Sequence, residues 1–398
     1  MSDEPEIPAF ALDIKAFQRH KRKQRICGDT FVFRRLREEK RSIAVLSDGL
    51  GSGIKANVLS ALTATMALRF TAGFRDLQKT AEIIMETLPV CSVRKISYAT
   101  FCIIDIDALG EVRLINYDSP APILIRSGMP VPIESSSISG RNGEREYQLT
   151  YSKFPLSFND RIVLFTDGVT QAGIGSSQYP MGWGVSDPAK FAAGIVRATA
   201  DCPARTLARR IVQEAHSIDS GSAGDDMTCA VIHYRKPREL LIASGPPVQP
   251  QNDVAYAKNV VGFAGKKIIC GGTTSKIVAR ELGRSITINL SDLNPVLPPQ
   301  SSIDGIDLVT EGIITLHALA KMLESPRDLD DIKPSPAKSI LERMLESDIV
   351  HFLIGTRINS AWQDPAIPAE IGLRRTIISQ IVTSLERRHQ KETRLRYL

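Results

Sequence analysis

Four places in this 398-residue chain set an aspartate beside a glycine at the edge of an apolar run. They are Gly28-Asp29-Thr30, Ser47-Asp48-Gly49, Thr166-Asp167-Gly168 and Gly224-Asp225-Asp226. Three of them adjoin strongly apolar stretches, at 43–46, 162–165 and 228–232. A carboxylate at the rim of a buried strand is costly unless it is paired or bound to a cation. Converging carboxylates also repel one another, and hard divalent cations relieve that repulsion. Magnesium and manganese prefer oxygen ligands and complete their octahedra with water. Two such ions close together activate a water and clamp a phosphoryl oxygen. Glycine after the aspartate lets the backbone approach closely, so that a carbonyl can join the ligands. Taken singly, each Asp-Gly pair reads as an ordinary turn. Their order and their apolar flanks are what point to a site.

The elements that must position these residues follow from periodicity. Apolar residues at helical spacing predict helices over 57–70, 77–88, 188–200 and 205–216. Short apolar runs bounded by turn residues predict strands at 30–35, 42–46, 98–106, 112–117, 123–126, 161–166 and 228–234. The segment 1–26 reads as a lead, helical over 14–23, and is a candidate regulatory element. Prolines 237, 246, 247 and 250 mark 237–259 as a linker by composition. Beyond it, strands at 267–270, 285–290, 306–309 and 349–354 alternate with helices at 275–282, 314–323 and 376–388. That rhythm predicts a smaller α/β domain over 260–398 with a largely parallel sheet. Within it, Gly271-Gly272-Thr273-Thr274 stands between strand and helix. Free backbone N–H groups at a helix start bind anions, and an ordinary helix cap uses the same residue types. Thr310-Glu311-Gly312 is a second strand-end turn, and His317 on the helix after it reads as surface or core. The arginine-rich tail 374–396 reads as a solvated helix.

Composition narrows the setting. Hydrophobic residues are 43% and charged residues 24%, the proportions of a folded soluble chain, and the net charge of +6 is too small to argue for nucleic acid. The basic run 20–25 reads as a solvated face or as a contact for an acidic partner or a phosphate. The N-terminus lacks a secretory apolar core and no run is long enough to span a membrane, so no membrane partner is expected. Cys27, Cys91, Cys102, Cys202, Cys229 and Cys270 are scattered, with no CxxC pair and no zinc-type spacing. A reducing cytoplasm is the simplest location.

Residues 27–234 resemble the PPM-type metal-dependent protein phosphatases, in particular the bacterial sporulation stage II E (SpoIIE) branch. The resemblance rests on Gly28-Asp29, Ala44-Val45-Leu46-Ser47-Asp48-Gly49-Leu50-Gly51-Ser52-Gly53, the hairpin 116–126, Asp160–Val169 and Asp225-Asp226-Met227-Thr228. It implies an α+β fold, an antiparallel β-sandwich flanked by helices, over 27–236. It implies two manganese or magnesium ions at one end of the sandwich. Asp48 would bridge them, Asp167 and Asp225 would hold one, and Asp29 and the Gly49 carbonyl would hold or orient the other. Asp226 would have a weaker, outer role. The implied substrate is phosphoserine or phosphothreonine in a protein, attacked by a metal-activated water without a phosphoenzyme. The branch also implies a regulatory switch in the helix near 54–70, answering to a regulatory protein, a small ligand or a second copy in a homodimer. The rest of the chain faintly resembles the uncharacterised C-terminal halves of such phosphatases. Regulation by that domain is expected. The competing expectation is a phosphatase-fold scaffold or sensor whose C-terminal domain binds a phosphate-bearing ligand. One departure from many family members matters: no histidine follows Asp48 to serve as general acid. Low turnover should result, and steady-state rates equal to those of histidine-containing members would contradict it.

Overall fold

The run Ile43-Ala44-Val45-Leu46 is apolar on both of its faces because each face has a layer to cover. The computed structural model describes residues 10–36, 38–74, 76–87, 99–142, 145–288, 299–325, 329–357 and 367–398. They form two units, one of Leu12–Lys236 and one of Pro237–Leu398 together with residues 10–11.

In the first unit the order is β1 (Ala11–Arg19), β2 (Asp29–Leu36), β3 (Arg41–Gly49), α1 (Gly53–Gly73), α2 (Leu77–Thr87), β4 (Ala99–Ile106) and β5 (Glu111–Tyr117). There follow β6 (Ile123–Arg126), β7 (Met129–Val131), β8 (Ser136–Asn142), β9 (Arg145–Pro155), β10 (Arg161–Phe165), α3 (Asp167–Thr170), α4 (Ser186–Ala198), α5 (Ala204–Ile218) and β11 (Met227–Arg235). One sheet is β2-β3-β4-β5-β9-β8 and the other β1-β11-β10-β6-β7. Strand side chains alternate between faces. Ile43 and Val45 pack with Ala64 and Ala67 of α1 and Ile84 and Met85 of α2, while Ala44 and Leu46, equally buried, face the other way. On β10, Val163 and Phe165 pack with Ala192 and Val196 of α4 and Leu207 and Ile211 of α5. Ile162 and Leu164 turn to the opposite face, also buried. The result is the expected antiparallel sandwich flanked by helices. Burying each such branched side chain contributes about 1.5–3 kcal/mol.

A charged joint ties the helical layer to the sheet. Asp105 on β4 is fully buried. It accepts hydrogen bonds from Arg41 Nε at 2.7 Å and Nη2 at 2.8 Å and pairs with Arg113 at 2.6 Å. The same Arg41 Nη2 donates to the Thr71 carbonyl at 2.8 Å, near the end of α1.

The second unit runs β12 (Glu239–Ser244), α6 (Asp253–Gly262), β13 (Lys266–Cys270), α7 (Gly272–Leu282), β14 (Thr287–Ile288), β15 (Ser301–Ile303) and β16 (Ile306–Thr310). It continues with α8 (Ile313–Glu324), α9 (Pro336–Glu346), β17 (Ile349–Ile354), α10 (Ile367–Arg387) and β18 (Glu392–Tyr397). Its described strands lie in the order β14-β15-β16-β13-β12-β17-β18.

Four expectations need correction. Residues 14–23 are not helical: Leu12 and Ile14 alternate with Asp13 and Lys15, and β1 runs beside β11 inside the sandwich. Residues 11–19 are therefore part of the fold and not a lead separate from it. Residues 237–259 are not a linker, because 239–244 form a buried strand in mid-sheet and 253–262 a helix. The prolines mark only the loop between them. The tail is not all helix: 392–397 is a strand parallel to β17. The strand expected over 285–290 is described only as far as Ile288, and residues 88 and 98 of two other expected elements lie outside the described residues.

Removing one partner from a buried ion pair strands the other's charge, at a cost of about 3–5 kcal/mol. Asp105→Ala should lose that much stability in urea unfolding. A loss below about 1 kcal/mol would mean the joint is dispensable.

Candidate metal centre

Strand pairing brings the aspartates together. Asp29 opens β2 and Asp48 lies near the end of β3, and the two sit directly opposite each other in the ladder. Asp167 follows β10 and begins α3, while Asp225 and Asp226 immediately precede β11. Because β10 and β11 are antiparallel neighbours, with Phe165 opposite Cys229, the end of one and the start of the other coincide. Thr166 and Thr228, next along the chain, join the two sheets at this point. Their hydroxyls both donate to Asp29 Oδ2, at 2.8 Å and 2.6 Å.

Asp29 itself is buried. Asp48, Asp167 and Asp225 line an open cleft of about 410 Å³, together with Gly49 and Lys21. The Asp48 carboxyl lies against those of Asp29 and Asp167, and Asp167 feels Asp225 in turn. Burial is the largest influence on each of the first three and pushes its carboxyl above the ordinary range. The neighbouring carboxylates push Asp48 further, while the threonine hydroxyls hold Asp29 back. Lys21 Nζ stands 3.3 Å from Asp225 Oδ1, with both side chains about a third exposed. A row of carboxyl groups strained in this way, open to a cleft and rich in oxygen donors, fits hard divalent cations.

The two glycines have a steric reason to be where they are. A Cβ on Gly49 would stand 2.0 Å from the Ala56 carbonyl oxygen of α1, and one on Gly168 2.0 Å from the Asp226 carbonyl oxygen. Backbone must pass that close for the aspartates beside them to converge.

The structure thus gathers Asp29, Asp48, Gly49, Asp167 and Asp225. Asp226 turns away from the cleft. Its Oδ1 accepts from the Lys21 amide at 2.8 Å and its Oδ2 from the Gly28 amide at 2.9 Å. It holds the loop between β1 and β2 in place beside the site. Gly271, Gly272, Thr273 and Thr274 lie in the second unit, at the start of α7. Spacing in the sequence did not reveal that His20, Cys27 and Asp226 bring three ligand-type atoms within 4.8 Å of one another. Both Asp226 oxygens are already engaged, and burial pushes the Cys27 thiol up to about 12, with Asp29 and Asp226 adding to it. With both carboxylate oxygens held by the Lys21 and Gly28 amides, this trio carries no metal assignment. Two further participants, Thr166 and Thr228, had a signal in the sequence: each is adjacent or nearly adjacent to a candidate aspartate.

The family model described as Stage II sporulation protein E (SpoIIE) matches residues 38–235. Among solved structures, the chain is similar to the SpoIIE phosphatase domain of Bacillus subtilis in a crystal form without domain swapping. The identity is 16% and the TM-score 0.44, over 58% of this chain and 95% of that one. A Bacillus subtilis SpoIIE structure with the PP2C phosphatase domain and a fragment of the regulatory domain is 18% identical, with a TM-score of 0.48, over 57% and 64%. The RsbU and RsbW domains of a Mycobacterium tuberculosis protein are 19% identical, with a TM-score of 0.46, over 64% and 68%. No curated protein matches the chain.

The raised carboxyls give a pH signature. A carboxyl whose folded pKa lies above its unfolded one binds more protons in the folded state, so stability falls as pH rises through that interval. Without metal, Asp48→Asn should therefore be more stable than wild type at about pH 8, with the gap narrowing toward about pH 5. Manganese at about a hundredfold over its Kd should stabilise wild type by roughly 3 kcal/mol and the variant by far less. Thermal melts in EDTA and in manganese, across pH, check both. A variant that gains nothing in EDTA at high pH would sink the electrostatic account.

Proposed function

Residues 38–235 form a domain of the SpoIIE family of PP2C-like protein serine/threonine phosphatases, and on that premise we propose that this chain hydrolyses phosphoserine or phosphothreonine in a partner protein with two divalent cations. The observation that carries the proposal is the contiguous row Asp29–Asp48–Asp167–Asp225 at one end of the sandwich. In this reading Asp48, which lies between Asp29 and Asp167, would bridge the two cations, Asp167 and Asp225 would hold one, and Asp29 and the Gly49 carbonyl would hold or orient the other. Manganese or magnesium held there would supply Lewis acidity toward a phosphoryl group and acidify water. The chain's own contribution is placement. Thr166 and Thr228 fix the orientation of Asp29. Gln171 Nε2 donates to Asp167 Oδ2 at 2.8 Å and fixes that carboxylate. Lys21 puts a positive charge on the cleft wall, toward which a phosphate dianion is drawn. An open cleft suits a phosphorylated side chain presented by another protein.

Regulation is the second part of the proposal. Ile54, Val58 and Leu62 stand on one stripe of α1 and are 69%, 58% and 48% exposed. The same helix meets Gly49 through the Ala56 carbonyl and reaches the β2 side of the site through Asn57, whose Nδ2 donates to the Cys27 carbonyl at 2.8 Å. A regulatory protein or a second copy of the chain seated on that stripe would move the backbone beside Asp48. The second unit is the proposed sensing domain. No described helix is long and apolar enough to cross a membrane. With Cys27, Cys102, Cys202, Cys229 and Cys270 buried and unbridged, a reducing cytoplasm is the proposed setting.

The test is hydrolysis of a phosphoserine peptide and of p-nitrophenyl phosphate with and without manganese. Wild type should turn over only with the metal, and Asp48→Asn should lose at least about a hundredfold in kcat/KM, on the order of 3 kcal/mol. Metal-independent turnover, or an Asp48→Asn enzyme as fast as wild type, would overturn the proposal.

A further inference from the structure

In the second unit β16, β13, β12, β17 and β18 run parallel, adjacent in that order. From β12 the chain steps one way, to β13 and then β16, and afterwards crosses to β17 and β18 on the other side. The order reverses between β12 and β17. Residues of α6 and α7 pack on one face of the sheet and residues of α8, α9 and α10 on the other. In open parallel sheets the connections diverge at such a reversal and leave a crevice beyond the carboxyl ends of the two strands, where ligands bind.

The residues at this crevice supply the chemistry. β12 ends at Ser244 and passes into Gly245, and β17 ends at Ile354 and passes into Gly355. A Cβ on Gly355 would stand 2.1 Å from the Pro246 carbonyl oxygen, and one on Gly245 2.4 Å from the Gly355 carbonyl oxygen. Backbone thus packs directly against backbone where the two strands end. Ser244 is completely buried, and its hydroxyl has no hydrogen-bond partner among the described residues. The same holds for the phenol of Tyr256 on α6, 1% exposed. From α10, Arg374 sends Nη1 to 2.8 Å from the Cβ position of Gly245. Tyr256 is close enough to Arg374 and Cys270 to feel both. Polar groups from both helical layers therefore meet at one place. A buried hydroxyl left unpaired costs about 1–3 kcal/mol, and nothing in the phosphatase chemistry uses these.

Beside the crevice, β13 and β16 deliver two helix starts. Gly271, with φ +134°, leads into α7, and Gly312 leads into α8. They lie so close that a Cβ on Gly312 would touch the Gly271 Cα at 3.5 Å. The positive ends of two helix dipoles are thereby side by side. A carboxylate lies nearby: a Glu311 oxygen is 3.6 Å from the Cβ position of Gly272. Thr315, in the first turn of α8, adds a third buried hydroxyl without a partner among the described residues. Arg357, just beyond β17, braces the rim by donating to the Pro247 carbonyl at 2.6 Å and pairing with Asp253 at the start of α6.

We propose that this crevice binds a phosphate-bearing small molecule, with its phosphate at the Gly271-Gly272 start of α7 in place of the Glu311 carboxylate. Arg374 and the hydroxyls of Ser244 and Tyr256 partner the remaining polar groups of the ligand. The proposal stands independently of the phosphatase reading, and the phosphatase cleft must be silenced to test it.

The test uses the full chain carrying Asp48→Asn, in EDTA, titrated calorimetrically with inorganic phosphate and with ADP. Saturable binding of at least one is expected. Tighter binding of ADP points to a nucleotide, and equal binding to the phosphate group alone. A Cβ on Gly272 meets only the Glu311 carboxylate, so Gly272→Val should fold yet obstruct the phosphate, weakening binding at least about tenfold. Glu311→Gln removes the competing anion and should tighten binding several-fold. Opposite movements of these two variants, with unchanged thermal melts, are the expected result. Absence of binding by both probes, or binding that either variant leaves alone, would overturn the proposal.

Discussion

The first unit is organised around an electrostatic conflict. Asp48 lies against both Asp29 and Asp167 at the buried end of two sheets, where burial already disfavours charge. Such an arrangement is stable only if something answers the negative potential. The protein answers part of it with neutral donors: two threonine hydroxyls on Asp29 and the Gln171 amide on Asp167. The ammonium of Lys21 answers part at Asp225. None of these reaches Asp48 in the middle of the row, which is where burial and like charge act together. The unanswered potential is the physical basis for assigning cations here. It also explains why the site is built on strand ends, since rigid ladders hold repelling groups in place better than loops do.

Holding them has consequences for the backbone. Gly49 and Gly168 lie where a side chain would collide with a carbonyl oxygen at 2.0 Å. The Asp-Gly pairs are therefore close-packing devices as much as turns. Asp226 shows the same economy. It adjoins a candidate ligand, yet its two oxygens hold the 21 and 28 amides and so fix the loop that carries Lys21. Neighbouring carboxylates in the sequence thus do different work, one facing the cleft and one bracing its wall.

Legibility in the sequence followed the strength of the burial pattern. β3 and β10 are apolar on both faces and were readable as strands, together with the aspartates at their ends. The hairpin of β8 and β9 was not read, although Tyr147 and Leu149 are buried between exposed Glu146, Gln148 and Thr150. Its period of two was present but written in polar residues with a weak apolar signal. β12 was hidden by the prolines after it, which stamped a linker composition on a window that also held a buried strand. β1 was hidden by the basic run that follows it, which extended an apparent helix past Arg19. In the site, residue types were legible and orientation was not: Asp225 and Asp226 are adjacent letters, and only the fold of the 20–28 loop separates their roles. The helix start at Gly271-Gly272 was visible as a motif. The reversal of strand order that gives it a crevice depends on long-range pairing and leaves no local trace.

The position of α1 makes the first unit's site adjustable without touching a ligand. Helix and site meet at a backbone-to-backbone contact, Ala56 against Gly49, in which no flexible side chain can absorb a shift. On the far side of the helix, Arg41 ties its last turn to the buried Asp105. The helix is therefore anchored at its end and in hard contact with the site near its start. A force applied to the exposed Ile54–Val58–Leu62 stripe has little freedom except to move that first turn. Packed contacts of this kind transmit displacement because they are stiff. Under the proposed regulation, the geometry of Asp48 would be set jointly by β3 and by the partner on the stripe.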